Sequence, residues 1–111
     1  MSKCIFCKIA SGEIPSEKIF ESDNFFVIKD VNPKVKGHSL VISKKHFENF
    51  MELSPELYSE FLETVKGAVE KLGAEAFNLV VNNGEIAGQI IPHLHLHILP
   101  RKSDDGFDFG V

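Results

Sequence analysis

The sequence predicts an α+β fold in which five antiparallel strands form one sheet and a single long helix packs on one of its faces. The first observation is a series of short apolar runs bounded by turn residues, which indicates five strands in 111 residues. The second is one stretch with apolar residues at three- and four-residue spacing, which indicates a helix between the third and fourth strands. This order favours an antiparallel sheet with the helix on one side. We expect a single domain spanning 1–111, with an N-terminal turn over 1–12 and a C-terminal tail over 101–111.

The N-terminal half predicts a short helical opening and three strands. Residues 4–10 form the opening. Residues 17–21 and 25–30 are both apolar-rich and flank the turn residues 22–24, which indicates a hairpin. A polar loop then leads to a third strand over 38–43.

The long helix is predicted from its start signal, its periodicity and its end. Ser54 is a suitable N-cap, Pro55 suits the first helical position, and Glu56 places an acid at the positive end of the helix dipole. Gly73 is typical of a helix end, and residues 77–82 then predict a fourth strand. The apolar residues that recur at helical spacing are Leu57, Phe61, Val65, Ala68, Val69 and Leu72.

The fifth strand, residues 92–100, carries three of the chain's five histidines. Side chains alternate between the two faces of a strand, so His93, His95 and His97 share one face, with successive rings about 6.6 Å apart. We therefore expect a half-buried strand whose exposed row is imidazole. The apolar residues on the opposite face are Leu94, Leu96 and Ile98.

This row of imidazoles has more than one interpretation. Histidines on a solvent-facing strand need have no function, but three in register favour a functional site. Imidazole near neutral pH acts as a nucleophile, a proton carrier or a metal ligand. Histidines two residues apart are also how a strand presents zinc ligands. From these residues alone, nucleophilic catalysis and metal binding both stay open.

Composition excludes several classes of protein. The net charge of −4 and the pI near 5.7 argue against a general nucleic-acid surface, which needs a basic face. A small anionic ligand held by amides and imidazoles stays compatible. No apolar run approaches the roughly 20 residues that span a bilayer, and no basic-then-apolar leader is present at the N-terminus. We expect a cytoplasmic protein whose Cys4 and Cys7 are thiols or metal ligands rather than a disulfide framework.

Isolated polar residues give weaker signals. The Cys4-x-x-Cys7 pair is half of a zinc site, and by itself it fits ordinary thiols equally well. Asp30 ends a strand and is interpreted first as a cap of the following turn. His38 stands at the start of a strand, where an isolated histidine is more often a surface residue.

The stretch from His93 to Leu99 resembles the His-φ-His-φ-His-φ-φ signature, with φ apolar, of the histidine triad (HIT) family of nucleotide hydrolases and transferases. With its Cys4-x-x-Cys7 pair, the chain is most similar to the bacterial type of the Hint-like, phosphoramidase branch. The resemblance implies a HIT-like fold and hydrolysis of purine nucleoside monophosphoramidates through a nucleotidyl-histidine intermediate. The alternatives are a dinucleoside polyphosphate hydrolase, a nucleotidyl transferase, or a non-catalytic nucleotide- or zinc-binding regulatory module.

The resemblance also implies roles for individual residues. His95 is expected to be the nucleophile, while His97 and His38 donate to phosphoryl oxygens and to the leaving group, so the chemistry itself needs no metal. A homodimer is implied too. The residues implied as ligands of a structural zinc are Cys4, Cys7, His46 and His93.

A nucleotide site is implied by the same likeness. Asp30 is expected at the ribose hydroxyls, and Asn82, Gly88 and Gln89 at the phosphate. Ile90 departs from well-known eukaryotic members, which carry a hydroxyl there, so a contact made by that hydroxyl is lost in this chain. The residues implied as the lining of the base pocket are Ile5, Phe6, Ile9, Ile14, Ile28 and Val31.

Overall fold

The computed structural model describes residues 3–109 and contains one five-stranded antiparallel sheet, a short N-terminal helix and one long helix. The predicted α+β fold is confirmed. The helices are α1 (Ile5–Ala10) and α2 (Tyr58–Leu72), and the strands are β1 (Phe20–Glu21), β2 (Phe25–Lys29), β3 (Ser39–Ser43), β4 (Ala76–Val80) and β5 (His95–Arg101).

The strand that comes last in the sequence lies inside the sheet. The strand order is β1-β2-β3-β5-β4, with every neighbouring pair antiparallel. On one side of β5, Ile42 lies opposite His95 and Leu40 opposite His97; on the other side, Val80 lies opposite His97. His97 is therefore held between two strands, and His95 is paired with β3.

Alternation along β5 divides the core into two layers. Leu96 and Ile98 pack between the sheet and α2, whereas His95 and His97 face the side on which α1 lies. The α2 layer is built mainly from Phe25, Val27, Val41, Phe61, Val65, Ala68, Leu94, Leu96 and Ile98. The α1 layer contains Phe6, Ile9, Phe26, Ile28, Leu40 and Ile42.

Helix α2 is tied to the β1–β2 hairpin by its first turn. The Glu60 carboxylate accepts hydrogen bonds from Ser22 Oγ at 2.7 Å, from the Asn24 backbone N–H at 2.6 Å and from Asn24 Nδ2 at 2.7 Å. Thr64 Oγ1 donates to Ser22 Oγ at 2.9 Å. These bonds place the helix over β1, β2 and β3.

The ends of α2 agree only partly with prediction. Gly73 ends the helix in the left-handed region, with φ at 68°, as the sequence predicts. At the start, Ser54 makes no side-chain cap, and Pro55–Leu57 form a 3-10 turn before the α-helix begins. The Leu57 N–H donates to the Ser54 carbonyl at 2.9 Å, so the backbone closes the tighter turn itself.

Most strand boundaries shift by one or two residues. β1 and β5 are the exceptions, because each starts three residues later than predicted, β1 at Phe20 and β5 at His95. β2 ends one residue early, β3 starts one residue late, and β4 covers Ala76–Val80 rather than 77–82. Hydrogen-bonding partners, which a single segment does not reveal, determine these limits.

The prediction for the fifth strand was wrong in two respects. The strand starts at His95, because the N–H of His93 donates to Ile91 O at 2.8 Å and that of Leu94 donates to Phe47 O at 2.7 Å. The histidine row is also not exposed, since His93 is fully buried and His95 is only 8% exposed. Helix α1 covers this part of the sheet with Phe6, which the alternation in β5 alone does not indicate.

The tail folds back on the end of β5. Arg101 belongs to the strand and not to the predicted tail, and its guanidinium donates to Asp105 at 2.7 and 3.0 Å and to the Phe107 carbonyl. Residues 110–111 of the predicted tail and 1–2 of the predicted N-terminal turn lie outside the described residues. Between residues 3 and 109, neither helix combines the length and the apolar character needed to cross a membrane.

Candidate active site and metal centre

His95 is held in one tautomer by the backbone. Its Nδ1 lies 2.7 Å from the carbonyl oxygen of His93. A carbonyl only accepts, so Nδ1 carries the proton and Nε2 keeps its lone pair. The Phe6 ring packs edge-on against the imidazole, with centroids 5.1 Å apart. The arrangement presents an oriented, unprotonated nitrogen.

His97 and His38 form a second imidazole pair beside it. His38 Nε2 lies 2.9 Å from His97 Nδ1, and the His95 and His97 ring centroids are 5.1 Å apart. Burial, followed by the charges of His95 and His38, lowers the pKa of His97 to about 4. Burial also lowers the pKa of His38, against the opposing effect of the Asp30 carboxylate. Both rings are therefore neutral at neutral pH.

Asp30 serves the turn and faces the site. Its Oδ1 accepts from the Asn32 N–H at 2.8 Å, as expected of a turn cap. Its Oδ2 lies 3.4 Å from His38 Nε2. One carboxylate oxygen thus stabilises the loop while the other lies beside the imidazoles.

A separate cluster joins the two cysteines to two histidines. Cys4 Sγ lies 3.2 Å from His93 Nδ1, and Cys7 Sγ lies 3.2 Å from His46 Nδ1 and 3.6 Å from His93 Nδ1. All four ligand atoms lie within 4.8 Å of one another. In a tetrahedral zinc site the sulfur and nitrogen ligands are about 3.5 Å apart. The cluster therefore fits a Cys₂His₂ metal site and can hold a metal such as zinc.

The surroundings of His93 match those of a metal ligand. Its Nε2 lies 2.7 Å from the Ser43 carbonyl, so that nitrogen carries the proton and Nδ1 presents its lone pair to the thiols. A metal-bound histidine almost always donates its other N–H to such an acceptor. Burial, and then the neighbouring Cys4 thiol, raises the pKa of Cys7 to about 11. A metal ion must therefore displace protons to bind here.

Helix α1 connects the two clusters. Cys4 is its N-cap and Cys7 lies in its first turn, so the helix carries both thiols. Phe6, between them, packs against His95 and also against His93, with centroids 5.6 Å apart in the second case. One short helix thus supplies two of the four candidate metal ligands and one wall beside His95.

The residues predicted to contact phosphate lie in one loop, but Gln89 is engaged within the chain. Its Oε1 accepts from the Gly84 N–H at 2.8 Å, and its Nε2 donates to Glu48 O at 2.7 Å and Ile91 O at 3.1 Å. Gly88 has φ at 94°, which favours glycine, and a Cβ there would lie 3.7 Å from Asn82 Nδ2. Gln89 thus closes the loop, while the backbone of Gly88 lies beside Asn82.

The six residues predicted to line the base pocket differ in exposure. Phe6, Ile9 and Ile28 are buried together in the α1 layer, and Ile14 packs against them. Ile5 is 45% and Val31 89% exposed. The first four residues therefore form a continuous apolar surface, and the last two lie on the outside of the chain.

Two groups in these clusters carry no sequence signal. The Ser43 carbonyl orients His93, and the Lys34 backbone N–H donates to His38 Nδ1 at 3.1 Å. Both are main-chain groups, which every residue except proline offers alike. No side-chain motif could have identified them.

A buried histidine row on the sheet face opposite the long helix defines this chain as a histidine-triad-type α+β protein. The comparison with known families gives the same result. The chain belongs to the HIT family, whose HIT domain matches residues 11–104.

Relatives support this membership along the whole domain. Adenosine 5'-monophosphoramidase hnt1 of Schizosaccharomyces pombe is 41% identical over 108 residues, which cover 97% of this chain and 80% of that protein. Adenylylsulfatase HINT3 of Arabidopsis thaliana is 43% identical over 106 residues, which cover 92% of this chain but only 54% of HINT3. The structure of a histidine triad protein from Clostridium difficile is 34% identical and superposes with a TM-score of 0.84, covering 97% of this chain and 98% of that one.

Proposed function

We propose that this protein is a nucleotide hydrolase that cleaves purine nucleoside monophosphoramidates through a nucleotidyl intermediate on His95. One observation carries the proposal: His95 donates Nδ1–H to the His93 carbonyl at 2.7 Å and so keeps a lone pair on Nε2. That is the form of imidazole that can attack phosphorus. The phosphoramidase activity named for the fission yeast relative supports this choice of substrate.

The reaction proceeds in two displacements. His95 Nε2 attacks the α-phosphorus, a P–N bond to His95 forms, and the P–N bond to the substrate amine breaks. The substrate nitrogen is protonated before this bond breaks, so the amine leaves neutral and its lone pair accepts a hydrogen bond from the His97 Nε2–H. Water then attacks the nucleotidyl-histidine, the P–N bond to His95 breaks, the nucleoside monophosphate leaves, and the proton that water loses passes to the free amine.

Binding of the nucleotide is assigned to the surfaces around these imidazoles. In this proposal Asp30 accepts from the ribose hydroxyls through Oδ2, which lies beside His38. The backbone at Gly88 and the amide of Asn82, which lie side by side, contact the phosphate. The base lies on the apolar surface formed by Phe6, Ile9, Ile14 and Ile28. An aliphatic and aromatic surface of this kind discriminates weakly between adenine and guanine.

Any bound zinc has a structural role in this proposal. Cys4, Cys7, His46 and His93 would hold it and so fix α1 against the site. When bound, the ion supplies a crosslink between the N-terminal helix and the segment that precedes β5. The imidazoles of His95 and His97 perform the chemistry themselves.

A second copy of the chain is expected on the α2 side of β4. Helix α2 packs over β1, β2 and β3 and leaves Phe77 and Leu79 of β4 exposed. Within residues 3–109, β4 is an edge strand, and such an edge is self-complementary about a twofold axis. Leu79→Lys is expected to convert a dimer to a monomer in light scattering, whereas Ile86→Lys on the exposed 85–87 turn is not. A native protein that is already monomeric would contradict the expected dimer.

The proposed function is tested by steady-state hydrolysis of an adenosine phosphoramidate. We expect kcat of His95→Ala to fall about 10³-fold or more, because the substitution removes the proposed nucleophile. The native Tm should be kept, because the fold is unchanged. Brief chelation should leave kcat of the native protein unchanged. Rapid quench into alkaline denaturant should trap a nucleotidyl adduct on native protein only, because the P–N bond of such an adduct is cleaved in acid and survives in base.

Each outcome of this assay separates the alternatives. Activity that survives His95→Ala would remove that residue as the nucleophile. Turnover of diadenosine polyphosphate or adenylyl sulfate in place of the phosphoramidate would assign the protein to a different substrate class of the same family. Nucleotide binding without any turnover would indicate a regulatory module.

A further inference from the structure

We propose that His38 is a positioning residue which, held by the Lys34 backbone N–H, fixes His97 in the tautomer that carries its proton on Nε2. The imidazole of His38 then supports His97 and does not itself contact the phosphate. This inference rests on the proposed function only in assigning the His97 Nε2–H to the leaving group. The tautomers themselves follow from the geometry of the chain.

The first step concerns His38. The Lys34 N–H donates to His38 Nδ1 at 3.1 Å, so Nδ1 holds a lone pair. A neutral imidazole carries one proton, and that proton must then be on Nε2. The His38 side chain is only 3% exposed, whereas Lys34 is exposed. The hydrogen bond between them is therefore shielded from solvent on the His38 side only.

The second step passes this constraint to His97. His38 Nε2 and His97 Nδ1 are 2.9 Å apart, which leaves room for a single proton between them. Because His38 supplies it, His97 Nδ1 accepts and its own proton resides on Nε2. Within residues 3–109 that Nε2 forms no hydrogen bond, so its N–H points to a ligand or to water.

Neighbouring rings therefore carry opposite functions. His95 presents a lone pair at Nε2 and His97 presents an N–H at Nε2, although the two side chains share one strand face. The difference arises in the main chain. It offers His95 an acceptor, the His93 carbonyl. It acts on His97 through His38, because the Lys34 N–H keeps the proton of His38 on the nitrogen that faces His97. A nucleophile and a hydrogen-bond donor are thus set side by side before substrate binds.

The same geometry excludes two other roles for His38. Both of its nitrogens are occupied, so none is left for a phosphoryl oxygen. Asp30, His38 and His97 lie close enough to hold a metal ion. A metal on Nε2 would put the proton of His38 on Nδ1, facing the Lys34 N–H, and two donors repel.

The decisive measurement is a two-bond ¹H–¹⁵N correlation of the imidazoles in ligand-free protein labelled with ¹⁵N-histidine, at neutral pH. We expect Nε2–H in His38 and His97 and Nδ1–H in His95. Nδ1–H in His38 or in His97 would overturn the proposal. The readout needs no substrate, so it stands even if the phosphoramidate is not turned over.

Two matched pairs of variants isolate the contacts. Gln at position 38 can both accept from Lys34 and donate to His97, so His38→Gln should keep Nε2–H in His97, whereas His38→Leu should yield mixed tautomers. Lys34→Pro removes only the backbone donor, and Lys34→Ala retains it. If Lys34→Pro fails to fold, the position 38 pair decides.

Kinetics distinguish a positioning role from ligand contact. We expect kcat of His38→Leu to fall about tenfold, the scale of one hydrogen bond, with KM unchanged and with kcat largely restored in His38→Gln. A rise in KM that accounts for the loss would show that His38 binds the ligand and would overturn the proposal. Equal losses in both variants would do so as well.

Discussion

Two imidazole clusters lie on the same side of this sheet. They differ in which backbone group faces the ring nitrogen that points away from the cluster, Nε2 in His93 and Nδ1 in His38. In the cluster of Cys4, Cys7, His46 and His93, the far nitrogen of His93 meets the Ser43 carbonyl. In the cluster of Asp30, His38 and His97, the far nitrogen of His38 meets a backbone N–H. The first arrangement frees a lone pair for a metal, and the second forces a proton into the cluster. In both clusters the candidate ligand atoms lie within 4.8 Å of one another, so the outer partner of the imidazole, and not the closeness of the ligand atoms, distinguishes them.

The largest expected effect is on metal content. Cys7→Ser should lose the metal, lower Tm by about 10 °C or more and free α1, because ligand binding to the folded state stabilises it. His38→Gln should leave metal content unchanged. Metal analysis and thermal melting of the two variants test the contrast. Equal loss of metal from both would show that the two clusters do not differ as described.

Phe6→Ala should have the next largest effect, since this ring packs against both His93 and His95. The ring is 4% exposed, so we expect a loss of about 3 kcal/mol in the free energy of unfolding. Phe6→Leu fills more of the space and should lose about 1 kcal/mol. Urea unfolding measures both. An unchanged free energy in Phe6→Ala would mean that α1 is not packed as described.

The proton-bearing cluster should make stability depend on pH. His97 has a folded pKa of about 4 against an ordinary value of 6.5, so the unfolded chain binds its proton first as pH falls. The contribution is complete above about pH 6.5 and is lost progressively towards about pH 4. The difference in unfolding free energy between native protein and His97→Gln should follow this window. A difference that is flat from pH 7 to pH 4 would contradict the buried neutral state.

The smallest expected effect is that of Ser43→Ala. The carbonyl that accepts from His93 at 2.7 Å remains, and only the Oγ contact at 3.3 Å is lost. Metal content should not change, and Tm should fall by less than about 4 °C. Loss of the metal in this variant would assign the outer partner to the hydroxyl rather than to the backbone.

Periodicity made most of the fold predictable. The helical spacing of Phe61, Val65 and Ala68 and the alternation in β5 each reflect a regular element that buries one face, so the sequence alone places them. Burial of His93 and the start of β5 at His95 depend on Phe47 O and on α1, which are distant in sequence. Local pattern carries no information on such partners.

The sequence predicted which side chains form the candidate site but not how their imidazole rings are oriented. The four residues that the resemblance implied as metal ligands lie together and could hold a metal ion. What sets the tautomers is main chain at Lys34, Ser43 and His93, and no residue type marks a main-chain contact. Gln89 shows the same limit, because its amide binds backbone groups in its own loop and the backbone carbonyl of Glu48.

The position of β5 between β3 and β4 has a consequence for the order in which the chain is made. Cys4 and His93 are separated by 89 residues, and β5 emerges from the ribosome after every strand that flanks it. Until then neither His93 nor His95 is available, and β3 and β4 have no strand between them. The same short segment therefore completes the cluster of two thiols and two imidazoles, brings in the proposed nucleophile and joins β3 to β4.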